Sequence, residues 1–360
     1  MRKLNILSAR PGDKLASPIL QENGNILLGA GVELNERFIK RLKSLGIDML
    51  YLDDPMTEDI EPTSAIRDDT CKLATAAVFK TMNTLMEQPA AKGRAIAPEM
   101  GRTFRHVFGD IMQDLIARED VLVSLTNIQV ADGYLFQHSV NVAILAGIMG
   151  LAKGYNRTQM EELGMGALLF DIGMTRLPKE LINKISPLTA AERATMEKHT
   201  EEGFNILRAQ HDISLLSAHC ALQHHERYDG SGYPRKLSKD AIHEYAQIIS
   251  LADVYDALTS PRPHRRRYTP TEAIEYLFAA GNTFFDLELI RTFCKHISIY
   301  PVATTVLLSS GQIAVVALNN PLALHRPKVR VLREADGSPP PAPYEIDLKD
   351  QNCLMIIKEM

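Results

Sequence analysis

Two adjacent histidines run into an acidic, glycine-rich turn in the stretch His224-His225-Glu226-Arg227-Tyr228-Asp229-Gly230-Ser231-Gly232-Tyr233-Pro234. Such residues are poor choices for an apolar core and suit a metal site beside a shaped loop. His138, Asp171, His199 and Asp253 add imidazoles and carboxylates from segments whose apolar spacing predicts helices. These are the donors a hard or borderline divalent ion takes when it works on phosphate esters, with a carboxylate able to bridge two ions. Any one of these histidines, taken alone, is more often structural or exposed than a ligand, so spacing by itself leaves the metal open.

The elements that must position this set are predominantly helical. From about Val121 to Phe285 nearly every segment carries helical periodicity, and Thr158-x-x-Glu161 and Thr189-x-x-Glu192 read as capping boxes that start helices. Asp171 and His199 then fall late on those two helices. Ahead of this core, Asn23-Gly24 predicts a hairpin turn between Ile19-Leu20 and Ile26-Leu27-Leu28, Asn35 predicts a helix cap, Gly46 a stop and Met49-Leu50-Tyr51-Leu52 a strand. The stripe Phe104, Val107, Phe108, Ile111 and Leu115 predicts a linker helix that packs either on its own domain or on a second subunit, and Gln88 to Pro98 reads as a break. After Pro301, the runs Thr304 to Leu308, Ile313 to Ala317 and Lys328 to Leu332 predict strands. The expected fold is mainly α: a helical bundle core with a small N-terminal α+β module and a C-terminal β-rich subdomain. Its boundaries are residues 1–62 for the module, 63–120 for the helical linker, 121–290 for the helical domain and 291–360 for the β-rich extension.

Composition narrows the partners. The 360 residues carry 40 Lys+Arg against 44 Asp+Glu, a formal charge of -4, which gives no global attraction to duplex nucleic acid or an anionic membrane. Cys71, Cys220, Cys294 and Cys353 are scattered without Cys-x-x-Cys spacing, so reduced structural thiols are expected. The N-terminus lacks a hydrophobic signal core and the apolar run Val142 to Ala152 is too short to span a bilayer, which places the expected compartment in the cytoplasm.

The ordered motifs Gln137-His138-Ser139-Val140, Leu169-Phe170-Asp171-Ile172-Gly173, Lys198-His199-Thr200-x-x-Gly203, His224-His225-Glu226-x-x-Asp229-Gly230-Ser231-Gly232-Tyr233-Pro234 and Ala252-Asp253-Val254-Tyr255-Asp256-Ala257-Leu258 together resemble the HD-GYP family over about residues 121 to 285. These are bacterial metal-dependent phosphodiesterases that open cyclic di-GMP on a helical variant of the HD phosphohydrolase fold. The resemblance implies one metal held by His138, Asp171 and Asp253 and another by Asp171, His199, His224 and His225, with Asp171 bridging and catalytic. It implies Fe, Mn or a similar divalent ion, one or two per chain, and a cyclic dinucleotide held by Tyr233, Asp256, Arg262 and Arg265, where Arg suits bidentate contacts to phosphate or guanine. The Gly232-Tyr233-Pro234 loop is a further expected docking point for a signalling protein, and the linker stripe allows a homodimer.

Two positions depart from the family pattern. The family commonly has His where Phe170 stands and Lys where Met174 stands. Phenylalanine cannot coordinate a cation, so weak or no occupancy is expected at the first metal, while the second keeps four protein ligands. Losing one well-placed charge stabiliser such as the lysine costs about two to three decades in rate. Tyr134 stands where some members place a glutamate for a third metal, so no trinuclear site is expected, and His219, Glu226 or His264 are the residues that could compensate for Phe170. The expected function is a metal-dependent cyclic di-GMP phosphodiesterase of impaired activity. The alternatives are an inactive cyclic di-GMP sensor or protein-interaction module and, more remotely, a hydrolase of another phosphate ester.

Overall fold

The computed structural model describes residues 1–21, 25–62, 64–87, 99–118, 129–131, 134–182, 184, 186–260, 266–351 and 353–360. The chain opens with β1 (Arg2–Asn5), β2 (Ile19–Gln21), β3 (Ile26–Leu28), α1 (Glu36–Ser44) and β4 (Met49–Leu52). β1 pairs antiparallel with β4 and β2 with β3. The Asn23-Gly24 turn lies outside the described residues. Asn35 caps α1 as its sequence implies, its side chain accepting the Phe38 N–H at 2.8 Å, and Gly46 ends the helix at φ +76°. Ile39 and Leu42 of α1 bury against Leu4, Leu15, Leu34 and Leu50 to make the module's own core.

Two helices, α2 (Asp68–Glu87) and α3 (Met100–Ile116), lead into the central bundle. Of the two packings open for the linker stripe, the structure has the intramolecular one: Phe104, Phe108, Ile111 and Leu115 are buried in the main core together with Val78, Met82 and Leu85 of α2. The Gln88 to Pro98 break lies outside the described residues. A short strand, β5 (Gln129–Ala131), then pairs in parallel with β2 and ties the bundle to the module.

At the centre stands α4 (Tyr134–Ala152), near-continuously apolar and buried along Phe136 to Gly150. A helix apolar on all faces must be surrounded by others, and α2, α3, α5 (Arg157–Leu169), α10 (Glu244–Thr259) and α12 (Leu287–Cys294) enclose it. Between α5 and α10 lie α6 (Lys179–Ile182), α7 (Ala190–Glu197), α8 (His199–Arg208) and α9 (Leu215–Gln223), and α11 (Pro270–Ala279) precedes α12. The Thr189/Glu192 box starts α7 as expected. The Thr158/Glu161 box does not form: Asn156 and Gln159 make the reciprocal pair instead, two residues earlier, because Asn156 alone has the extended backbone a cap needs (ψ 171°). Asp171 accordingly sits just past α5, at the head of a short 3-10 turn (Ile172–Arg176), and His199 opens α8 instead of closing α7.

The C-terminal strands β6 (Thr305–Leu308), β7 (Ile313–Leu318), β8 (Lys328–Arg333), β9 (Glu345–Asp347) and β10 (Ile356–Glu359) form one antiparallel sheet in the order β10-β6-β7-β8-β9. This sheet is joined to the N-terminal module. The Lys3 N–H donates to the Ala303 carbonyl at 2.7 Å and the Thr305 hydroxyl donates to the Lys3 carbonyl at 2.8 Å. Arg330 bridges Asp59 of the module and Glu345 of β9, bonding the latter at 2.7 Å. Cys71, Cys220, Cys294 and Cys353 are free thiols, and among the described residues no helix is long and apolar enough to cross a membrane.

Candidate metal centre

Three helices bring the imidazole cluster and Asp171 together. His199 is the first residue of α8, His224 and His225 follow the last turn of α9, and Asp171 follows α5. Close backbone approach makes this possible. A Cβ on Gly173 would collide with the His199 carbonyl, so only glycine lets the turn after Asp171 lie against α8.

The nitrogen ligand atoms of His199, His224 and His225 all lie within 4.8 Å of one another. Asp171 Oδ1 stands 3.5 Å from His199 Nε2 and 3.6 Å from His224 Nε2. The far side of each ring is fixed by backbone. His199 Nδ1 faces the Met196 carbonyl at 2.7 Å, and His224 Nδ1 faces the Ala221 carbonyl at 3.0 Å. A carbonyl only accepts, so both Nδ1 atoms carry a proton, and in that tautomer of a neutral ring Nε2 is the atom left with a lone pair. Those two lone-pair nitrogens are 3.2 Å apart, beside a carboxylate. Such a donor set is electrostatically unfavourable unless a cation lies among its members, and three imidazoles with one carboxylate suit a divalent transition ion. Burial holds His199 and His225 below the usual histidine range, His225 well below it, so both rings are neutral and free to coordinate. Burial alone raises the Asp171 carboxyl, but the hydrogen-bonding and electrostatic pull of the neighbouring His224, His199 and His138 imidazoles outweighs it and holds the group far below the usual carboxylate range.

His138 belongs to a second arrangement. Its Nε2 meets Asp253 at 2.9 Å and its Nδ1 meets Asp256 at 2.7 Å. The Phe170 ring, fully buried, stands edge-on between His138 (centroids 5.7 Å apart) and His224 (5.0 Å). It occupies the boundary between the His138/Asp253 pair and the imidazole cluster with an apolar wall. Met174 is partly buried against the main core and offers no charge to the site.

The loop after His225 is stapled by Glu226, whose carboxylate accepts the Arg235 N–H at 2.7 Å and the Leu237 N–H at 2.9 Å. A Cβ on Gly232 would strike the backbone of His225, Glu226 and Arg227, so the loop folds back on the histidine pair only with glycine there. This lays Tyr233 against the cluster, 4.8 Å from the His225 ring and 6.5 Å from the His199 ring, centroid to centroid. Burial and nearby acidic groups push its phenol pKa up, so the hydroxyl stays protonated.

Several expected residues stand elsewhere. Asp256 was expected to touch a dinucleotide, but it is 1% exposed and its two oxygens are taken by His138 and Asn141, the latter at 2.8 Å. It therefore supports a ring of the site in place of lining it. Glu226 and His219 do not compensate for Phe170: the first is committed to backbone, and the second lies against Phe204, ring centroids 5.0 Å apart. Arg262, Arg265 and His264 lie outside the described residues, as does the side chain of Tyr134. Asn141 and Gln137 were overlooked as parts of the site. Asn141 stands three residues after His138 and four after Gln137, and that helical spacing was the available signal.

Residues 111–289 match the family model described as an HD domain, and residues 305–360 match a KOW domain associated with HD domain. Among curated proteins, the chain is 34% identical over 241 residues to cyclic di-GMP phosphodiesterase PA4108 of Pseudomonas aeruginosa, covering 66% of this chain and 58% of that one. It is 35% identical over 160 residues to the cyclic di-GMP phosphodiesterase response regulator RpfG of Xanthomonas campestris, covering 44% and 42%. The chain thus spans about half the length of these relatives. A solved structure titled Bd1817, an HDG"Y"P protein from Bdellovibrio bacteriovorus, superposes with a TM-score of 0.51 at 20% identity over 81% of this chain and 97% of that one, a likeness of fold. The HD-domain match spans the helices that assemble the imidazole cluster, and together with these relatives it makes this chain a member of the HD-GYP family of HD-domain proteins.

Proposed function

We propose that this protein is a divalent-metal-dependent phosphodiesterase that hydrolyses cyclic di-GMP, working with one principal ion held by Asp171, His199, His224 and His225. The observation that carries this reading is the convergence of His199, His224 and His225, with the Nε2 atoms of the first two 3.2 Å apart beside Asp171, a donor set suited to a cation. Named relatives that act on cyclic di-GMP supply the substrate class. A divalent ion held by that set would supply Lewis acidity toward a phosphoryl oxygen and an attacking water.

The chain's own residues supply the rest. The Met196 and Ala221 carbonyls hold His199 and His224 in the tautomer that faces Asp171. Asp171, ionised far below neutrality, sets the negative charge of the site. Tyr233 walls the open side with a protonated hydroxyl, placed to donate to a phosphate or a base. Arg262 and Arg265 remain the proposed contacts to the dinucleotide. Phe170 keeps the His138/Asp253 half from completing a second site of ordinary strength, and with Met174 in place of a cation slow turnover follows.

The buried Phe170 wall also favours a second reading, a protein that binds cyclic di-GMP without turnover and signals through the Gly232-Tyr233-Pro234 loop. Incubation of Mn2+- or Fe2+-loaded protein with cyclic di-GMP separates the two. Linear dinucleotide or GMP above a His199→Ala control supports the phosphodiesterase, whereas calorimetric binding with no product supports the sensor.

A further inference from the structure

A continuous chain of buried polar groups crosses the apolar bundle from α2 to the site. The Thr75 hydroxyl on α2 donates to Gln137 Oε1 at 3.1 Å, and the Gln137 amide donates to Asn141 Oδ1 at 2.9 Å. The Asn141 amide donates to Asp256 Oδ1 at 2.8 Å, and Asp256 Oδ2 receives His138 Nδ1 at 2.7 Å. His138 Nε2 ends the chain on Asp253 at 2.9 Å. Every member is buried, from 1% exposed at Asp256 to 9% at Asn141 and Asp253.

Three features make this more than core filling. First, Gln137 and Asn141 interrupt α4, whose remaining residues from Phe136 to Gly150 are otherwise mostly apolar and buried. A buried amide stabilises no better than a packed Leu, and an unsatisfied one costs about 1–3 kcal/mol, so a fully connected chain serves orientation more than stability. Second, each amide accepts on one side and donates on the other, so the donors run in one direction from Thr75 to the Asp256 carboxylate and the bonds reinforce one another. Third, the chain begins outside the matched HD domain. α2 lies before residue 111 and leads back to the N-terminal module, and its first turn is pinned where the Arg67 N–H and side chain meet Asp114 of α3 at 2.9 Å and 2.7 Å.

We infer that Gln137, Asn141 and Asp256 are positioning residues through which the placement of α2 sets the orientation of the His138 ring. This rests on the metal-site reading above for its functional meaning. The ring's orientation matters twice. It directs Nε2 at Asp253, and it packs in a T-shaped contact with Phe170, which in turn stands against His224. A displacement of α2 therefore reaches both halves of the site through contacts already present, with the N-terminal module at the far end of the lever.

The test is the imidazole nitrogen spectrum of metal-free protein carrying 15N-histidine, with the His138 signals assigned by their loss in His138→Gln. Thr75→Val and Gln137→Leu are expected to displace both His138 ring resonances, and Thr75→Ser to return them to their parent positions. Thr75→Ala removes the same hydroxyl with less crowding and must give the same displacement. Thr84→Val, on an exposed residue of the same helix whose hydroxyl donates to its own backbone at Lys80, must leave them in place. Unmoved His138 resonances in Thr75→Ala and Gln137→Leu, with helical content intact, would overturn the inference, as would an equal displacement in Thr84→Val. The measurement uses no metal and no turnover, so it stands apart from the metal reading, which fails separately if Mn2+ titrated into the parent protein releases no binding heat.

Discussion

At the scale of the residue, Phe170 decides what this site can be. A buried benzene ring between His138 and His224 keeps the two sets of ligands apart and supplies no electron pair. Replacing it with imidazole puts a donor at the boundary between them. Phe170→His is therefore expected to raise bound metal from about one toward two ions per chain, read by elemental mass spectrometry, and Phe170→His with Met174→Lys to raise turnover by about ten- to a thousandfold. Unchanged metal content in the double variant would mean that the lesion lies elsewhere. His225→Ala removes a neutral imidazole from the intact cluster and should weaken Mn2+ affinity by at least about tenfold in calorimetry. The residue types and order of the imidazole cluster were legible in the sequence, and so was the departure at Phe170, because coordination chemistry depends on residue type. The role of Asp256 was not. Asp253 and Asp256 share a face of α10 three residues apart, and helical spacing puts both near His138 without saying which one faces the site and which lies behind the ring.

At the scale of the element, the site depends on turns as much as on helices. Gly232 lets the loop fold onto the histidine pair, so Gly232→Ala should displace His225 and Tyr233 and reduce Mn2+ affinity by about tenfold or more while the far-ultraviolet circular dichroism stays that of the parent. Helix α7, which delivers the chain to His199, is held by the Thr189/Glu192 cap. Lys184 and Thr189 hydrogen-bond to Glu192 and hold its carboxyl down to about 2. Because the folded pKa lies below the unfolded one, this stabilisation is present above about pH 4.5 and is lost as pH falls toward 2. Glu192→Gln should therefore destabilise the protein at pH 7 and lose less stability than the parent between pH 5 and pH 3, as read by urea unfolding. Helices of this kind were readable from periodicity and caps, down to the Thr189 box. The cap at Asn156 was not, since Asn156/Gln159 and Thr158/Glu161 both fit the capping pattern and backbone conformation selects between them. The strands β1, β5, β9 and β10 also went unread, being three or four residues long and held by distant partners more than by their own pattern.

At the scale of the whole molecule, the two ends of the chain meet. β1 lies against the start of the C-terminal sheet, and Arg330 on β8 reaches Asp59 and the Met56 carbonyl of the N-terminal module. Arg330→Ala should cost about 1–2 kcal/mol in urea unfolding, and it should expose the segment around Asp59 to limited proteolysis. This union flanks the HD domain at both its ends, with α2 and β5 leading from the module toward α4. The sequence suggested a small β unit at each end; their joining depends on pairings some three hundred residues apart, which no local pattern encodes. What the assembly does as a whole rests on the imidazole cluster, and the direct measurement is product formation from cyclic di-GMP by Mn2+-loaded protein beside His199→Ala. Linear dinucleotide or GMP from the parent, and none from the variant, is the outcome predicted for a phosphodiesterase working with Asp171, His199, His224 and His225. No product above the His199→Ala background would contradict it.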